Sequence, residues 1–521
     1  MKFNNVYLVH HVLEKTADVL PKEIALIHNG NYITYSIINS SANKLANFLK
    51  ALQIKKGDRI RIFYKNSFEY VISYFAILKA GAIAVPLNTE STSDSLIYIF
   101  NNCSLKGLIS SQQYKPLINK ILSNTSSLEW IIFDNIVDEN NIPNRIEKYS
   151  FSSIFKQQSA NFKSTDIIDS DIATILYTSG STGKPKGVVL SHLNIVTNTK
   201  SIVSYLNLTS KDKILVVLPF HYCYGKSLLH THFMVGGTVV LDNRFLYPNL
   251  VLDTMLKEKV TGFSGVPSTF SVLLNHSNFG KITFPDLRYV TQAGGALAPY
   301  LIKRLTETIP DKKVYIMYGA TEASARLSYL EPGDLKYKLG SIGKAIPNVE
   351  LKVVNEKGKI AEPMEVGEIV ARGSNIMLGY WNDPAETNLV LREDGYHTGD
   401  LAKIDHDGYF YIVGRKKDML KVGGNRFSAK QVEEVVCQLP GIDEIAIIGI
   451  DDEILGEVVK AFIVPKPGST LNEDELRTFC SEKLAKYMQP QQYEFISEMP
   501  KNSSGKILKD KLRIKIHTDQ I

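Results

Sequence analysis

The sequence predicts a mixed α/β protein with a large N-terminal body and a small C-terminal unit. Three observations carry that prediction. Helical and strand periods alternate up to about Lys352. From there the texture changes to short alternating strands broken by glycine. Beyond the charged segment Gly414 to Asp418, helix and strand patterns recur in a compact stretch of about a hundred residues, enough for an α+β unit of its own.

Taken in order, YVISYFAILKAG reads as a helix and AIAVPL as a strand. The apolar run Val71 to Leu87 is interrupted by Lys79 and Gly81 and falls short of the ~20 residues a membrane helix requires, so it reads as a buried helix leading into a strand. The serine-rich stretch Ser150 to Ser170 is expected to be a surface connection into the strand IATILYT. KILVVLPF and GTVVL are further strands. LKVVNEKGKI, GEIVARG and GYFYIVG make the β-rich piece, and VEEVVCQLPG, DEIAIIGID, VKAFIVPK and EDELRTFCSEKLAK read as helix, strand, strand and helix.

A length of 521 residues excludes a single small module, and 44% hydrophobic with 22% charged residues excludes a disordered or fibrous chain. Sixty Lys+Arg against 54 Asp+Glu leaves a charge of +6, too dilute over this length to indicate nucleic acid but compatible with small anionic ligands. Cys103, Cys223, Cys437 and Cys480 lie far apart, without metal-ligand spacing, and are expected to be free thiols. The N-terminal segment MKFNNVYLVHHVLEK lacks the pattern of a secretory signal, so a cytoplasmic location is expected.

The segment richest in chemistry is YTSGSTGKPKG, Tyr177 to Gly187, placed directly after an apolar strand. Its glycines and the hydroxyls of Thr178, Ser179, Ser181 and Thr182 supply donors, and Lys184 and Lys186 supply positive charge, a composition suited to a polyphosphate. It is not a Walker A loop: counted from Gly180, the second glycine position is held by Pro185, and Lys184 is followed by proline. A flexible linker would have no need of the lysines.

This loop closely resembles the signature loop of the AMP-forming, acyl-activating superfamily: acyl-CoA synthetases, aryl-CoA ligases, luciferases and nonribosomal peptide synthetase adenylation domains. FHYCYG at Phe220, AGGAL at Ala293, YGATE at Tyr318, YHTGD at Tyr396, GRKKDMLKVGG at Gly414 and PKNSSGK at Pro500 follow in the superfamily's order. The resemblance implies a body of two α/β subdomains and a β-barrel-like subdomain over residues 1–414, a hinge at 415–418, and a mobile C-terminal lid over 419–521. It also implies ATP and Mg²⁺, with coenzyme A or a carrier-protein phosphopantetheine as the thiol.

The implied chemistry explains the residue types. A carboxylate becomes a useful electrophile once AMP is attached, but forming that bond brings two anions together, so cations must surround them. By resemblance, Thr178, Ser179, Gly180, Ser181, Thr182, Gly183, Lys184 and Lys186 hold the phosphates. Thr321 sits at the α-phosphate and Glu322 holds the metal. Gly295, Ala296 and Tyr318 receive the adenine, with Ile412 a further apolar contact. Asp400 and Arg415 take the ribose, and Lys506 bridges the acid and the α-phosphate. Lys417 is the implied hinge. Lys421 is expected at the nucleotide in the second state, with Gly423 and Gly424 admitting the pantetheine arm.

The substrate pocket is expected to involve His221, Tyr222, Phe263, Gly265, Gly294 and Ala320. Amino-acid-activating relatives present an aspartate after the phenylalanine of FHYCYG, whereas this chain has His221, so a fatty, aryl or other non-amino acid is expected. His221 can equally be a satisfied core residue, and Arg326 reads as a structural ion-pair partner more readily than as a substrate contact. No carrier module is visible before Ile521, so a carrier protein is expected to be a separate chain. A stand-alone amino-acid adenylation enzyme and a non-catalytic nucleotide-binding relative are the competing readings. No nucleic-acid partner is expected, and oligomeric state is left open.

Overall fold

The computed structural model describes residues 6–104, 106–125, 127–135, 142–163, 165–178, 184–422, 424–452, 456–501 and 507–519. Two large sheets dominate the N-terminal part. One runs in the order Gly379–Tyr380, Lys186–Ser191, Ile172–Thr178, Ile83–Pro86, Arg59–Phe63, Gly107–Ser110, Trp130–Phe133, Glu147–Ser150. The other runs Lys344–Ala345, Ser328–Leu330, Lys313–Tyr318, Tyr289–Gln292, Gly262–Gly265, Lys213–Val216, Thr238–Leu241, Ile24–His28, Asn31–Thr34. Both are parallel in their centres; the second is antiparallel at both ends, and the first only at its Gly379–Tyr380 end, since Glu147–Ser150 pairs parallel with Trp130–Phe133.

Their strands are apolar on both faces because both faces are covered. Ile214 and Val216 point into the core shared between the sheets, while Leu215 points to the outer core of helices Pro248–Lys257, Pro267–His276 and Pro299–Thr308. In the first sheet, Ile109 and Ile132 face the shared core and Leu108 and Ile131 the opposite one. Helix Phe68–Lys79 lies in the shared core and is buried from Tyr70 onward, which is why its sequence is apolar all round. The Ser67 hydroxyl caps it by accepting from Tyr70 N. No helix among the described residues is long and apolar enough to cross a membrane.

The expected connection after Ser150 contains a helix, Phe151–Gln157. Ser150 accepts from Ser153 N as its cap, and Phe151 and Ile154 are buried, so a serine that suggested a linker is a helix start. The β-rich piece is an antiparallel sheet of Val349–Val354, Gly367–Gly373, Gly395–Ile404, Leu391–Arg392 and Phe410–Arg415. The C-terminal domain forms around strands Met419–Val422, Asn425–Ser428, Ile442–Asp452, Gly456–Pro465 and Gln492–Phe495, with helices Ala429–Val436 and Glu473–Lys483 on its core.

Candidate active site

Three adjacent parallel strands end side by side at Gly265, Gln292 and Tyr318. In open α/β sheets the crevice beyond the carboxyl ends of the strands is where ligands bind. Gly294, Gly295 and Ala296 form the exposed turn after the middle strand. Gly294 adopts φ +86°, and Gln292 Nε2 donates to the Gly295 carbonyl at 2.8 Å, holding that turn open. At the third strand, a Cβ on Gly319 would sit 2.0 Å from the Ala325 carbonyl oxygen, so only glycine permits the chain to double back there.

The antiparallel subdomain closes one side. Asp400 stands opposite Arg415 in the register of neighbouring strands, and Arg415 Nε reaches Asp400 Oδ1 at 2.9 Å. The Tyr318 hydroxyl donates to Asp400 Oδ2 at 2.7 Å. Burial, reinforced by the Asp400 carboxylate, raises the Tyr318 phenol well above its ordinary range, and Asp400 likewise raises Arg415. Gly399 N donates to Glu368 Oε1 at 3.0 Å and His397 Nδ1 lies 3.2 Å from Glu368 Oε2, so Glu368 fixes the loop that carries Asp400. Ile412 is half-buried on the same sheet.

On the opposite side Thr321 and Glu322 occupy a short helical turn, Thr321–Ala323. Tyr380 donates its hydroxyl to Glu322 Oε1 at 2.8 Å, and burial and then Glu322 push the Tyr380 phenol upward. The Lys186 ammonium lies 5.4 Å from the Tyr380 ring centre and pairs with Glu386 at 2.5 Å. Thr178 faces Lys186 on the neighbouring strand, its hydroxyl 3.5 Å from the Lys186 carbonyl oxygen, and Lys184 is exposed. Ser179, Gly180, Ser181, Thr182, Gly183, Gly423 and Lys506 lie outside the described residues.

Helix Cys223–Val235 begins at the floor of this arrangement. Cys223 Sγ and Thr321 Oγ1 share a hydrogen bond at 3.5 Å. His221 and Tyr222, half-buried just before the helix, stand with their ring centres 4.3 Å apart. His221 Nε2 is buried without a hydrogen-bond partner among the described residues, so His221 is not a satisfied core histidine. Gly265 and Ala320 lie at the ends of the two strands that flank Tyr289–Gln292. Phe263 faces the other way: alternation along its strand turns it into the outer core, edge-on to Phe270, and leaves Ser264 to bond Thr291 at 2.6 Å. Arg326 has no carboxylate partner among the described residues; it is buried over the Tyr224 ring at 4.0 Å and donates to the Ala325 carbonyl at 3.0 Å, which corrects its reading as an ion-pair partner.

Between the domains, Lys416–Asp418 forms a short helical turn with Lys417 exposed, 3.8 Å from Asp510. Lys430 donates to the Ile412 carbonyl at 3.1 Å across the same junction. The Lys421 side chain is exposed, and its backbone N donates to Glu457 at 2.6 Å. Tyr380, Glu386, Glu368 and Gln292 were not singled out from the sequence. The run GYWNDPAET, with its aromatic pair and a proline-led helix start, was the available signal for the first two.

The chain matches the AMP-binding enzyme family over residues 13–381 and the AMP-binding enzyme C-terminal domain over residues 431–506. A long-chain-fatty-acid–CoA ligase of Bacillus subtilis is 32% identical, with 96% of this chain and 93% of the relative aligned. An anthranilate CoA ligase solved in complex with anthranoyl-AMP superposes with a TM-score of 0.89 at 30% identity, covering 99% of each chain. The o-succinylbenzoate coenzyme A synthetase of Bacillus subtilis, solved with ATP and magnesium ion, superposes with a TM-score of 0.83 at 27% identity, covering 96% of this chain and 99% of that one. The chain thus belongs to the AMP-binding enzyme family and is an AMP-forming acid–thiol ligase.

Proposed function

We propose that this enzyme activates a fatty, aryl or other non-amino carboxylic acid with ATP and passes the acyl group to the thiol of coenzyme A. The observation that carries the reading is the convergence at one strand edge of two groups: Tyr318, Asp400 and Arg415 on one side, Thr321, Glu322 and Lys186 on the other. A carboxylate paired with a guanidinium suits the two hydroxyls of a ribose, and the turn Gly294–Ala296 leaves room for backbone to approach a base. Lys186 and the glycine hairpin suit phosphate oxygens.

Glu322 fits a magnesium site. A single carboxylate, steadied by a neutral phenol, matches an ion that takes most of its oxygens from phosphates and water. Bound there, magnesium would neutralise the charge that grows on departing pyrophosphate. Lys186, Thr178 and Thr321 orient the phosphate chain, and Lys506 supplies the cation between acid and α-phosphate.

An acid bearing an α-ammonium is disfavoured on two counts. No aspartate follows Phe220, and helix Cys223–Val235 already carries a buried Lys226 ammonium. Residues 1–414 form the adenylating body, 415–418 the hinge and 419–521 the lid, whose rotation about Lys417 brings a second face to the acyl-AMP. Coenzyme A is favoured over a carrier protein because the relatives are named as coenzyme A ligases.

Lys506→Ala tests the assignment. Pyrophosphate release is expected to slow by roughly 10³-fold, while thioester formation from synthetic acyl-AMP survives. Exchange of pyrophosphate at the wild-type rate would remove Lys506 from the first step.

A further inference from the structure

Lys226 lies in helix Cys223–Val235, one turn beyond the Cys223–Thr321 contact, and is 2% exposed. Its ammonium has no hydrogen-bond partner among the described residues, and no carboxylate acts on it. What faces it is an aromatic and imidazole wall. The Tyr74 ring centre is 4.8 Å away, Tyr74 is itself bonded to His230 at 3.0 Å, and His221 stands near enough for the two cationic forms to oppose each other. Burial draws Lys226 down to about 7 and, with Lys226 beside it, draws His221 down to about 3. His221 is therefore a neutral imidazole whose Nε2 is also without a partner.

Buried cations are ordinarily paired, because an unpaired one forfeits its hydration for nothing in return. The Lys226 ammonium is without a partner among the described residues. Arg326 is equally buried, and both it and Lys226 act on the Cys223 thiol at the floor of the acyl site. Among the described residues no acid pairs with Lys226, so a carboxylate on a ligand would find an unmatched donor there. A mere packing role for Lys226 would be met better by methionine or leucine.

We propose that Lys226 and His221 form a subsite for a second carboxylate, so that the acid this enzyme activates is a dicarboxylic acid: one carboxylate goes to AMP and the other is held against the Lys226 ammonium. The inference rests on the acid-activating function proposed above and names its substrate class. A site built around a buried donor rejects analogues that leave it unpaired far more strongly than an apolar pocket rejects a poor fit. Lys226 is in this sense a specificity residue, distinct from the groups that handle phosphate.

The test is pyrophosphate release with matched acids: succinate against butyrate, suberate against octanoate, terephthalate against benzoate. In the best-fitting pair, the wild-type kcat/KM is expected to favour the diacid by about 100-fold or more. Lys226→Met is expected to reverse that preference, chiefly through KM, and Lys226→Arg to retain part of it. The diacid is also expected to raise the melting temperature of the wild-type enzyme more than the monoacid does, a readout that needs no variant to fold. Preference for the monoacid in every pair, or a ratio unmoved in Lys226→Met, overturns the subsite while leaving the acid-activating function standing. Pyrophosphate release with no acid at all would instead overturn the function on which it rests.

Discussion

The Tyr318 hydroxyl donates to Asp400 Oδ2 at 2.7 Å, and this bond joins the last residue of a buried parallel strand to the antiparallel subdomain beside it. Because Asp400 Oδ1 is taken by Arg415 at 2.9 Å, one carboxylate aligns an aromatic ring and a guanidinium that come from separate sheets. On the proposed function, a nucleoside entering there would meet a stacking surface, an acceptor and a donor already fixed relative to one another.

Asp400→Asn is expected to weaken that alignment. The amide keeps the shape but loses the charge that holds Arg415, and a hydrogen bond to a charged group contributes on the order of 1.5–3 kcal/mol, so KM for ATP should rise by roughly 10- to 100-fold. Initial rates of pyrophosphate exchange across a range of ATP concentrations measure it. A KM for ATP within experimental error of wild type would place the ribose elsewhere.

Lys417→Pro probes the second step. The turn Lys416–Asp418 separates strand Phe410–Arg415 from strand Met419–Val422, and the exposed Lys417 lies at a long 3.8 Å from Asp510. Proline fixes φ near the value such a turn already has, but prevents the larger dihedral change a rotating lid needs. Pyrophosphate exchange should stay within about twofold of wild type, while transfer from synthetic acyl-AMP to coenzyme A slows by roughly 10-fold or more. Equal losses in both assays would show that the turn is not a hinge.

The parts of this site that could be read from the sequence are those where chemistry dictates a residue type at a fixed local spacing. Gly319 is forced by the approach of the Ala325 carbonyl, and Asp400 and Arg415 face each other because a short antiparallel hairpin sets their register. What could not be read depends on long-range partners. Strand Ile24–His28 pairs with Thr238–Leu241 across more than two hundred residues, and nothing local indicates which sheet it joins. The Lys186–Glu386 pair spans 200 residues and the Glu322–Tyr380 bond 58, so neither partner is indicated locally. Phe263 shows the opposite failure, since its neighbours in the motif suggested a pocket while strand alternation sends the ring to the outer core. Arg326 read as an ion-pair partner because neither its burial nor the aromatic ring beneath it is visible in a single residue.

Acid should destabilise the large domain through two buried histidines. His192 Nδ1 accepts from Val9 N at 3.0 Å, and His232 Nδ1 lies 2.9 Å from the Leu228 carbonyl oxygen with Nε2 3.1 Å from the Tyr289 hydroxyl. Burial lowers each from 6.5 to about 4. Above 6.5 both the folded and the unfolded forms hold these rings neutral, and the folded state keeps its full advantage. As pH falls below that value the unfolded chain binds protons that the folded chain refuses, so stability declines until the rings themselves protonate near pH 4. Each histidine can contribute on the order of a few kcal/mol to this loss. The urea midpoint should therefore drop between about pH 7 and about pH 5. His192→Gln supplies an oxygen for Val9 N but cannot titrate, so its midpoint should fall less steeply over that interval. The same slope in the variant and the wild type would mean that other groups drive the acid transition.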